Sequence, residues 1–356
     1  LTMHYSFGQF LSLIGSLGLF LFGMKLMSES LQKVAGDRMR NILAAMTSNR
    51  FKSILTGMLI TMVIQSSSAT TVMVVSFVNA GLISLVQSIG VIMGANIGTT
   101  ATAWLISLLG FKFSISVIAL PLVGVGFPFI FSKNVNRKSW GELIVGFAIL
   151  FLGLDYLKDS VPNISENPQL LEFFQNYTSQ GFFSVLLFIG IGTILTMIIQ
   201  SSSATMALTL VMCNNGWMSY ELAAAMVLGE NIGTTITAVL ASTVANVYAK
   251  RAARAHMIFN VFGVLWMLFV FPYFIRAIGY SIVYFGGVSP FESPQSTPVA
   301  LSLFHTSFNV MNVLVQVMFT PAIVKVVTFM VPHRKEEDEE FRLRHLEIGL
   351  LSTVEL

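Results

Sequence analysis

Long runs of apolar residues, separated by short polar segments, dominate this chain. A helix that crosses the hydrocarbon core of a membrane needs about 20 predominantly apolar residues. About seven runs approach or exceed that length, at residues 10–27, 84–109, 113–131, 141–157, 220–242, 255–275 and 299–330. The pattern therefore predicts an all-α integral membrane protein with about seven transmembrane helices.

Two further apolar segments, at residues 53–82 and 182–218, carry a polar sequence in their middle. The first is too short for two complete spans, each of which needs about 20 residues. We therefore expect residues 53–82 to form a re-entrant hairpin, which enters the membrane and returns to the same side. Residues 182–218 are expected to form a second hairpin.

The chain contains an internal repeat at an offset of 135 residues. TMVIQSSSAT at 61–70 matches TMIIQSSSAT at 196–205, and GANIGTT at 94–100 matches GENIGTT at 229–235. Such self-similarity is typical of folds built from repeated units. We predict a first repeat at 1–135 (helix, hairpin 53–82, broken helix 84–109, helix 113–131), a second at 136–331 (helix 141–157, hairpin 182–218, broken helix 220–242, helix 255–275, extra helix 299–330) and a charged tail at 332–356.

The placement of Lys and Arg predicts the direction of each repeat. Segment 28–52 is basic, whereas its counterpart 158–180 has an acidic balance. Because basic loops stay on the cytoplasmic side, loops of opposite bias indicate that the repeats are inserted in opposite directions. The resulting topology places eleven Lys and Arg residues in cytoplasmic loops and three outside, and it makes the C-terminus cytoplasmic.

Composition agrees with a membrane protein. Hydrophobic residues make up 54% of the chain, charged residues 10%, and the mean hydropathy is +0.77, whereas soluble domains carry about 25% charged residues. A single cysteine, Cys213, excludes an internal disulfide. The formal charge of +3 is weak evidence for an anionic partner, and we expect contact with a lipid bilayer and none with nucleic acid.

The two QSSSAT sequences place hydroxyl and amide groups inside apolar segments, where each needs a partner. Short polar side chains favour helix ends, so we expect each run at the tip of a hairpin, where one half-helix stops and another begins. Backbone N–H groups there, with Ser hydroxyls and Gln amides, would bind an anion without Arg or Lys. Oxygens of Ser, Thr and Asn suit a hard cation, and the glycines of the second motif would let the helix open around them.

The polar residues within the apolar segments also allow other interpretations. A Ser/Thr-rich patch in a transmembrane helix more often mediates packing between helices. Two copies at matched positions in inverted repeats instead favour a transport site. No GxSxG elbow or paired base surrounds the serines, so we expect no enzyme activity. Glu230 either tunes a cation site or faces the bundle interior or a water-filled pathway. His256 and His305 either confer pH sensitivity or make interhelical hydrogen bonds.

The doubled QSSSAT, each followed by GxNIGTT, resembles the type II sodium-phosphate cotransporter family, including its bacterial branch, over residues 10–330. The resemblance implies a symporter of inorganic phosphate and sodium ions, without an organic cofactor, that works by alternating access in the bacterial inner (plasma) membrane. It implies phosphate binding by Gln65, Ser66, Ser67, Ser68, Gln200, Ser201, Ser202 and Ser203. The implied sodium ligands are Ser68, Thr70, Asn96, Thr99, Thr100, Ser203, Thr205, Asn231, Thr234 and Thr235.

The chain departs from the family pattern after the first NIGT motif. Animal members carry a His-x-x-Phe-Asn stretch with a nearby acidic residue after the first NIGT motif, and residues 113–130 hold neither, so sodium stoichiometry does not follow from the resemblance. The tail resembles the linker that precedes a soluble PhoU-like domain in many bacterial members. Two alternatives stay open: a phosphate-sensing membrane scaffold, and a carrier for another oxyanion such as sulfate or a dicarboxylate.

Overall fold

The computed structural model describes residues 7–45, 49–113, 115–161 and 177–333, without the side chains of 35–45. Within these ranges the chain forms helices joined by turns, and no strand occurs there. The tail from residue 334 onward, most of the acidic segment 158–180, and the side chains of Arg38 and Arg40 lie outside the described residues. The opposite insertion of the two repeats therefore stays a prediction.

The α-helices are numbered here in chain order. They are α1 (Phe7–Ala45), α2 (Arg50–Ile64), α3 (Ser67–Asn79), α4 (Leu85–Leu105), α5 (Ser116–Ile130), α6 (Val135–Ser160), α7 (Phe182–Ile199), α8 (Ser202–Asn214), α9 (Tyr220–Gly233), α10 (Thr235–Ala241), α11 (Val247–Tyr284), α12 (Thr297–Gln316) and α13 (Thr320–Met330). A π-helix, Ile106–Lys112, continues α4, and 3₁₀ helices flank α12 at Pro294–Ser296 and Val317–Phe319.

Seven helical stretches of the described chain are long and apolar enough to cross a membrane. This confirms the predicted class and number, and six of the stretches coincide with predicted spans. The seventh differs. Predicted span 113–131 forms only the 15-residue α5, shorter than the roughly 20 residues that a crossing needs. By length and composition α7, which was predicted as one arm of a hairpin, qualifies in its place.

Glycines allow α2 to pack closely on α4, and α7 on α9. A Cβ atom at Gly57 would collide with the carbonyl oxygen of Val91, and one at Gly192 would collide with that of Met226. Both members of the second pair lie 135 residues after those of the first. The repeat in the sequence is therefore also a repeat in tertiary contacts.

The prediction that glycines open the second motif is wrong for the first copy. Helix α4 runs without interruption from Leu85 to Leu105, through the whole GANIGTT sequence. Gly94 and Gly98 instead approach the carbonyl oxygens of Ile54 and Met58 in α2, where no side chain would fit. In the second copy a turn residue, Thr234, separates α9 from α10, although its backbone angles remain helical.

The remaining helices enclose these pairs. Helix α1 packs along α6 through the close approaches of Gly23 to Leu150 and of Gly153 to Phe20. Helices α11 and α12 lie against both α4 and α9. The polar breaks between α2 and α3 and between α7 and α8 are thereby held within the helical assembly.

Candidate functional site

Each QSSS sequence forms an abrupt break between two helices. Gln65 ends α2 and Gln200 ends α7, both with φ 56° and ψ 26°. They are the non-glycine residues with positive φ in the described chain, and a left-handed backbone costs a residue with a side chain about 1–2 kcal/mol. Such an outlier in both copies points to a functional constraint at the break.

The next residue starts a new helix in each copy. Ser66 and Ser201 have extended backbone angles, and their hydroxyls accept hydrogen bonds from the backbone N–H groups of Ala69 (3.2 Å) and Ala204 (3.3 Å). These are N-caps, the position that serine favours. The prediction that one half-helix stops and another begins at this motif is confirmed in both copies.

The chain reverses direction at each break. Thr61 Oγ1 donates to Thr70 Oγ1 at 3.0 Å, and Thr196 Oγ1 donates to Thr205 Oγ1 at 3.1 Å. Residues nine positions apart would lie about 13 Å apart in a continuous helix, so the two helices must fold back on each other. Each motif therefore forms the tip of a helical hairpin, whereas the side of a membrane from which each hairpin enters stays a prediction.

Both tips open onto one cavity of about 380 Å³. All eight residues predicted to bind phosphate line it, so the structure brings together two sequences 135 positions apart. They are Gln65, Ser66, Ser67, Ser68, Gln200, Ser201, Ser202 and Ser203. The eight predicted residues are therefore neighbours around one cavity.

The cavity presents unused hydrogen-bond donors. Ser66 and Ser201 are occupied as caps, but the hydroxyls of the other four serines make no hydrogen bond within the described part of the chain. They are Ser67, Ser68, Ser202 and Ser203. Helices α3 and α8 both begin at this cavity. The free N–H groups at a helix N-terminus, together with the helix dipole, favour the binding of an anion. The arrangement can hold an oxyanion from both sides.

Helix α1 adds charged residues that sequence reasoning missed. Lys25 and Glu29 line the cavity, with Lys25 Nζ 3.8 Å from the Glu29 carboxylate, and Ser28 and Gln32 lie beside them. The expectation of a cavity without Lys or Arg is therefore wrong. The available signal was a Lys and a Glu one helical turn apart at the end of an apolar run, outside the repeated motifs.

The residues proposed as sodium ligands fall into two groups. Ser68 and Ser203 line the cavity, and the hydrogen-bonded Thr70 and Thr205 lie directly behind the two tips. The others lie in α4, α9 and α10 or at the turn between the last two, and they do not line the cavity. They are Asn96, Thr99, Thr100, Asn231, Thr234 and Thr235, each hydrogen-bonded to a backbone carbonyl three or four residues earlier.

These second-motif residues are nevertheless contiguous with the tips. Gly98 packs against Thr61, whose hydroxyl bonds Thr70, and Gly233 packs against Thr196 in the same way. Thr102, two residues beyond the first GANIGTT motif, donates to the side-chain oxygen of Gln65 at 3.1 Å. The two motifs of each copy thus form one polar region.

Three ionisable residues noted in the sequence do not line the cavity. Glu230 is 1% exposed, and its Oε1 accepts a hydrogen bond from Thr209 at 2.8 Å. His256 and His305 are buried in α11 and α12, and Nδ1 of each has no partner among the described residues. The histidines make no interhelical side-chain hydrogen bond there, and neither reaches the cavity.

Comparison with known proteins adds independent information. The family model described as Na+/Pi-cotransporter matches residues 19–159 and 165–289. "Uncharacterized protein YqeW" of Bacillus subtilis is 31% identical over 318 residues, which are 88% of this chain and 95% of that protein. "Putative inorganic phosphate export protein YjbB" of Escherichia coli is 25% identical over 344 residues.

The alignments differ in how much of each relative they cover. The chain aligns over 96% of its own length with the Escherichia coli protein but spans only 60% of that protein. "Sodium-dependent phosphate transport protein 2A" of the rat is 37% identical over 101 residues, 27% of this chain and 16% of the rat protein. No solved structure matches the chain.

Proposed function

Because the chain belongs to the Na+/Pi-cotransporter family, we propose that it carries inorganic phosphate across a membrane together with sodium ions. The observation that supports this most is the convergence of both QSSS tips on one cavity. Four serine hydroxyls without partners and two helix N-termini supply the neutral donors that an oxyanion needs. In this proposal the eight Gln and Ser residues of the tips bind phosphate.

In this proposal the sodium ions help to compensate the negative charge of phosphate. Neutral donors compensate the negative charge of a divalent phosphate incompletely. Lys25 adds one positive charge, but the nearby Glu29 carboxylate offsets part of it. Sodium ions supply the rest, since Ser, Thr and Asn oxygens are hard ligands. We place them at and behind the tips, with ligands from Ser68, Thr70, Asn96, Thr99, Thr100 and from Ser203, Thr205, Asn231, Thr234, Thr235.

Alternating access follows from two repeats inserted in opposite directions, which expose the cavity to each side in turn. The contacts that recur at an offset of 135 residues support two equivalent units within 1–135 and 136–331. Arg251 Nε donates to the carbonyl oxygen of Val331 at 3.0 Å, so the end of α13 lies beside the basic segment 250–254. Because basic segments stay on the cytoplasmic side, this contact supports a cytoplasmic C-terminus. The bacterial relatives support a location in the bacterial inner membrane.

Uptake of radiolabelled phosphate by proteoliposomes tests the proposal. An inward sodium gradient is expected to drive uptake, and an equal potassium gradient is not. Binding of phosphate without flux would instead identify a sensor, and equal competition by sulfate or a dicarboxylate would identify a carrier of another anion.

The name of the Escherichia coli relative favours export as a second possibility for the direction of transport. A symporter runs in the direction that its combined gradients set, so loaded vesicles with an outward sodium gradient are expected to release phosphate. Release under an inward sodium gradient, without uptake, would favour a dedicated exporter.

We predict that Lys25→Gln raises the KM for phosphate by about fivefold, which corresponds to the contribution of one exposed ion pair, up to about 1 kcal/mol. The reason is the loss of the one basic side chain that the described residues place at the cavity. Lys33→Gln is the matched control, because Lys33 lies on the same helix but pairs with Glu142 outside the cavity. Equal KM values for Lys25→Gln and the unmodified protein in the sodium-gradient assay would remove Lys25 from the site.

A further inference from the structure

One hydrogen-bonded pair of the second repeat has no counterpart in the first. Thr209 of α8 donates to Glu230 of α9 at 2.8 Å. The offset of 135 residues places Val74 and Ala95 at the corresponding positions of the first repeat. Both members of the pair are therefore polar in the second copy and apolar in the first, although the flanking motifs match almost residue for residue. Because these two polar residues are in contact and occur as a pair in the second repeat alone, they suggest a function that only this repeat has.

The Glu230 carboxyl group is poorly satisfied. It is 1% exposed, and its Oε2 has no hydrogen-bond partner among the described residues. Thr209 has a single hydroxyl hydrogen, which the carbonyl oxygen of Thr205 also accepts at 2.8 Å. The ion pairs found in the described chain do not include Glu230. A buried carboxylate without such compensation is costly, and a bound cation is one remedy.

The position of this pair connects it to the cavity. Helix α8 begins at Ser202 on the cavity, and Thr209 lies seven residues further, about 10 Å along the helix axis. Thr205, one turn nearer the cavity, is hydrogen-bonded to Thr196 behind the second tip. Asn231 follows Glu230 directly in α9. The carboxyl group thus lies in the region where the proposed function places the second group of sodium ligands.

We infer that Glu230 supplies a carboxylate ligand to a sodium ion bound in the second repeat, with Thr209 beside it, while the first repeat binds its sodium through neutral oxygens alone. This inference rests on the proposed function and deepens it. The carboxylate gives the second site a fixed negative charge, which attracts its sodium ion. The two sites then differ in affinity, and the sodium ion of the second repeat binds more tightly.

Direct binding of ²²Na⁺ to the purified protein in detergent, without phosphate, tests the inference independently of transport. The variants are Glu230→Gln and the double variant Thr209→Val with Glu230→Ala, which installs the residues of the first repeat and so keeps a packing that this fold already uses. We expect both to lose about one bound sodium ion per chain or to bind it at least about tenfold more weakly. Glu221→Gln, on the same helix but away from the pair, should leave sodium binding unchanged.

Elution from size exclusion and the unfolding temperature in potassium chloride establish that each variant is folded. Unchanged sodium binding in either folded variant would overturn the inference. If the unmodified protein transports phosphate with sodium while the variants bind sodium normally, only this inference fails. If the unmodified protein neither binds sodium nor transports phosphate, the proposed function fails with it.

Discussion

Ser67→Ala or Ser202→Ala reduces sodium-driven phosphate uptake by about 10- to 100-fold, because each removes a hydroxyl that would bond the charged substrate and such bonds contribute about 1.5–3 kcal/mol. Ser67 and Ser202 are the first residues of α3 and α8, and both line the cavity. Neither hydroxyl has another partner in the described chain. The substitutions should therefore leave stability almost unchanged, and initial rates of uptake separate the two effects.

Ser76→Ala is the matched control for this prediction. Ser76 lies on α3 with Ser67, but it is exposed and its hydroxyl donates to the carbonyl oxygen of Val72 in its own helix. Uptake by this variant should equal that of the unmodified protein. If Ser67→Ala and Ser202→Ala transport at the same rate as Ser76→Ala, the serines that follow the caps do not bind the substrate.

Gly192→Ala and Gly190→Ala are expected to change stability in opposite directions. A methyl group at Gly192 collides with the carbonyl oxygen of Met226, and the resulting overpacking costs about 1–3 kcal/mol. Gly190 has open space around its Cβ position. Alanine there is therefore expected to raise the free energy of unfolding by about 0.4–1 kcal/mol, because it restricts the backbone of the unfolded chain. Unfolding in detergent, followed by circular dichroism, measures both changes in the free energy of unfolding.

The same pair of variants also tests how the second tip is positioned. Gly192 allows α7 to approach α9, and α7 ends at Gln200 on the cavity. We therefore expect Gly192→Ala to lose most phosphate uptake and Gly190→Ala to retain it. Equal stability and uptake for the two variants would show that the close contact of α7 with α9 is not needed.

The repeated motifs allowed much of the candidate site to be predicted from sequence. Gln-Ser-Ser-Ser in an apolar segment indicates a helix break because short polar side chains cap helices, and the structure has Ser66 and Ser201 as caps. The family resemblance then implied that both breaks contribute to one phosphate site. Their common cavity depends on tertiary packing, yet it follows the pairing that the sequence indicated.

Features outside that repeated pattern could not be predicted in the same way. Lys25 lies beyond the motifs, and only the packing of α1 brings it to the cavity. Gly94 suits an open helix and a close helix contact equally well in sequence, and the neighbouring carbonyl oxygen of Ile54 decides between them. The burial of Glu230 likewise depends on neighbours from other helices. Helix α9 is apolar on all of its faces, so its sequence does not indicate which face is packed against the protein.

An experimental structure of the protein with phosphate and sodium bound would show whether the two tips hold the substrate between them. We expect tetrahedral density between the tips, within hydrogen-bond distance of Ser67 and Ser202. We also expect weaker spherical density behind the tips, near Thr70 and Thr205. Phosphate density at another place in the protein, or tips that do not share one cavity, would show that the QSSS sequences do not form the phosphate site.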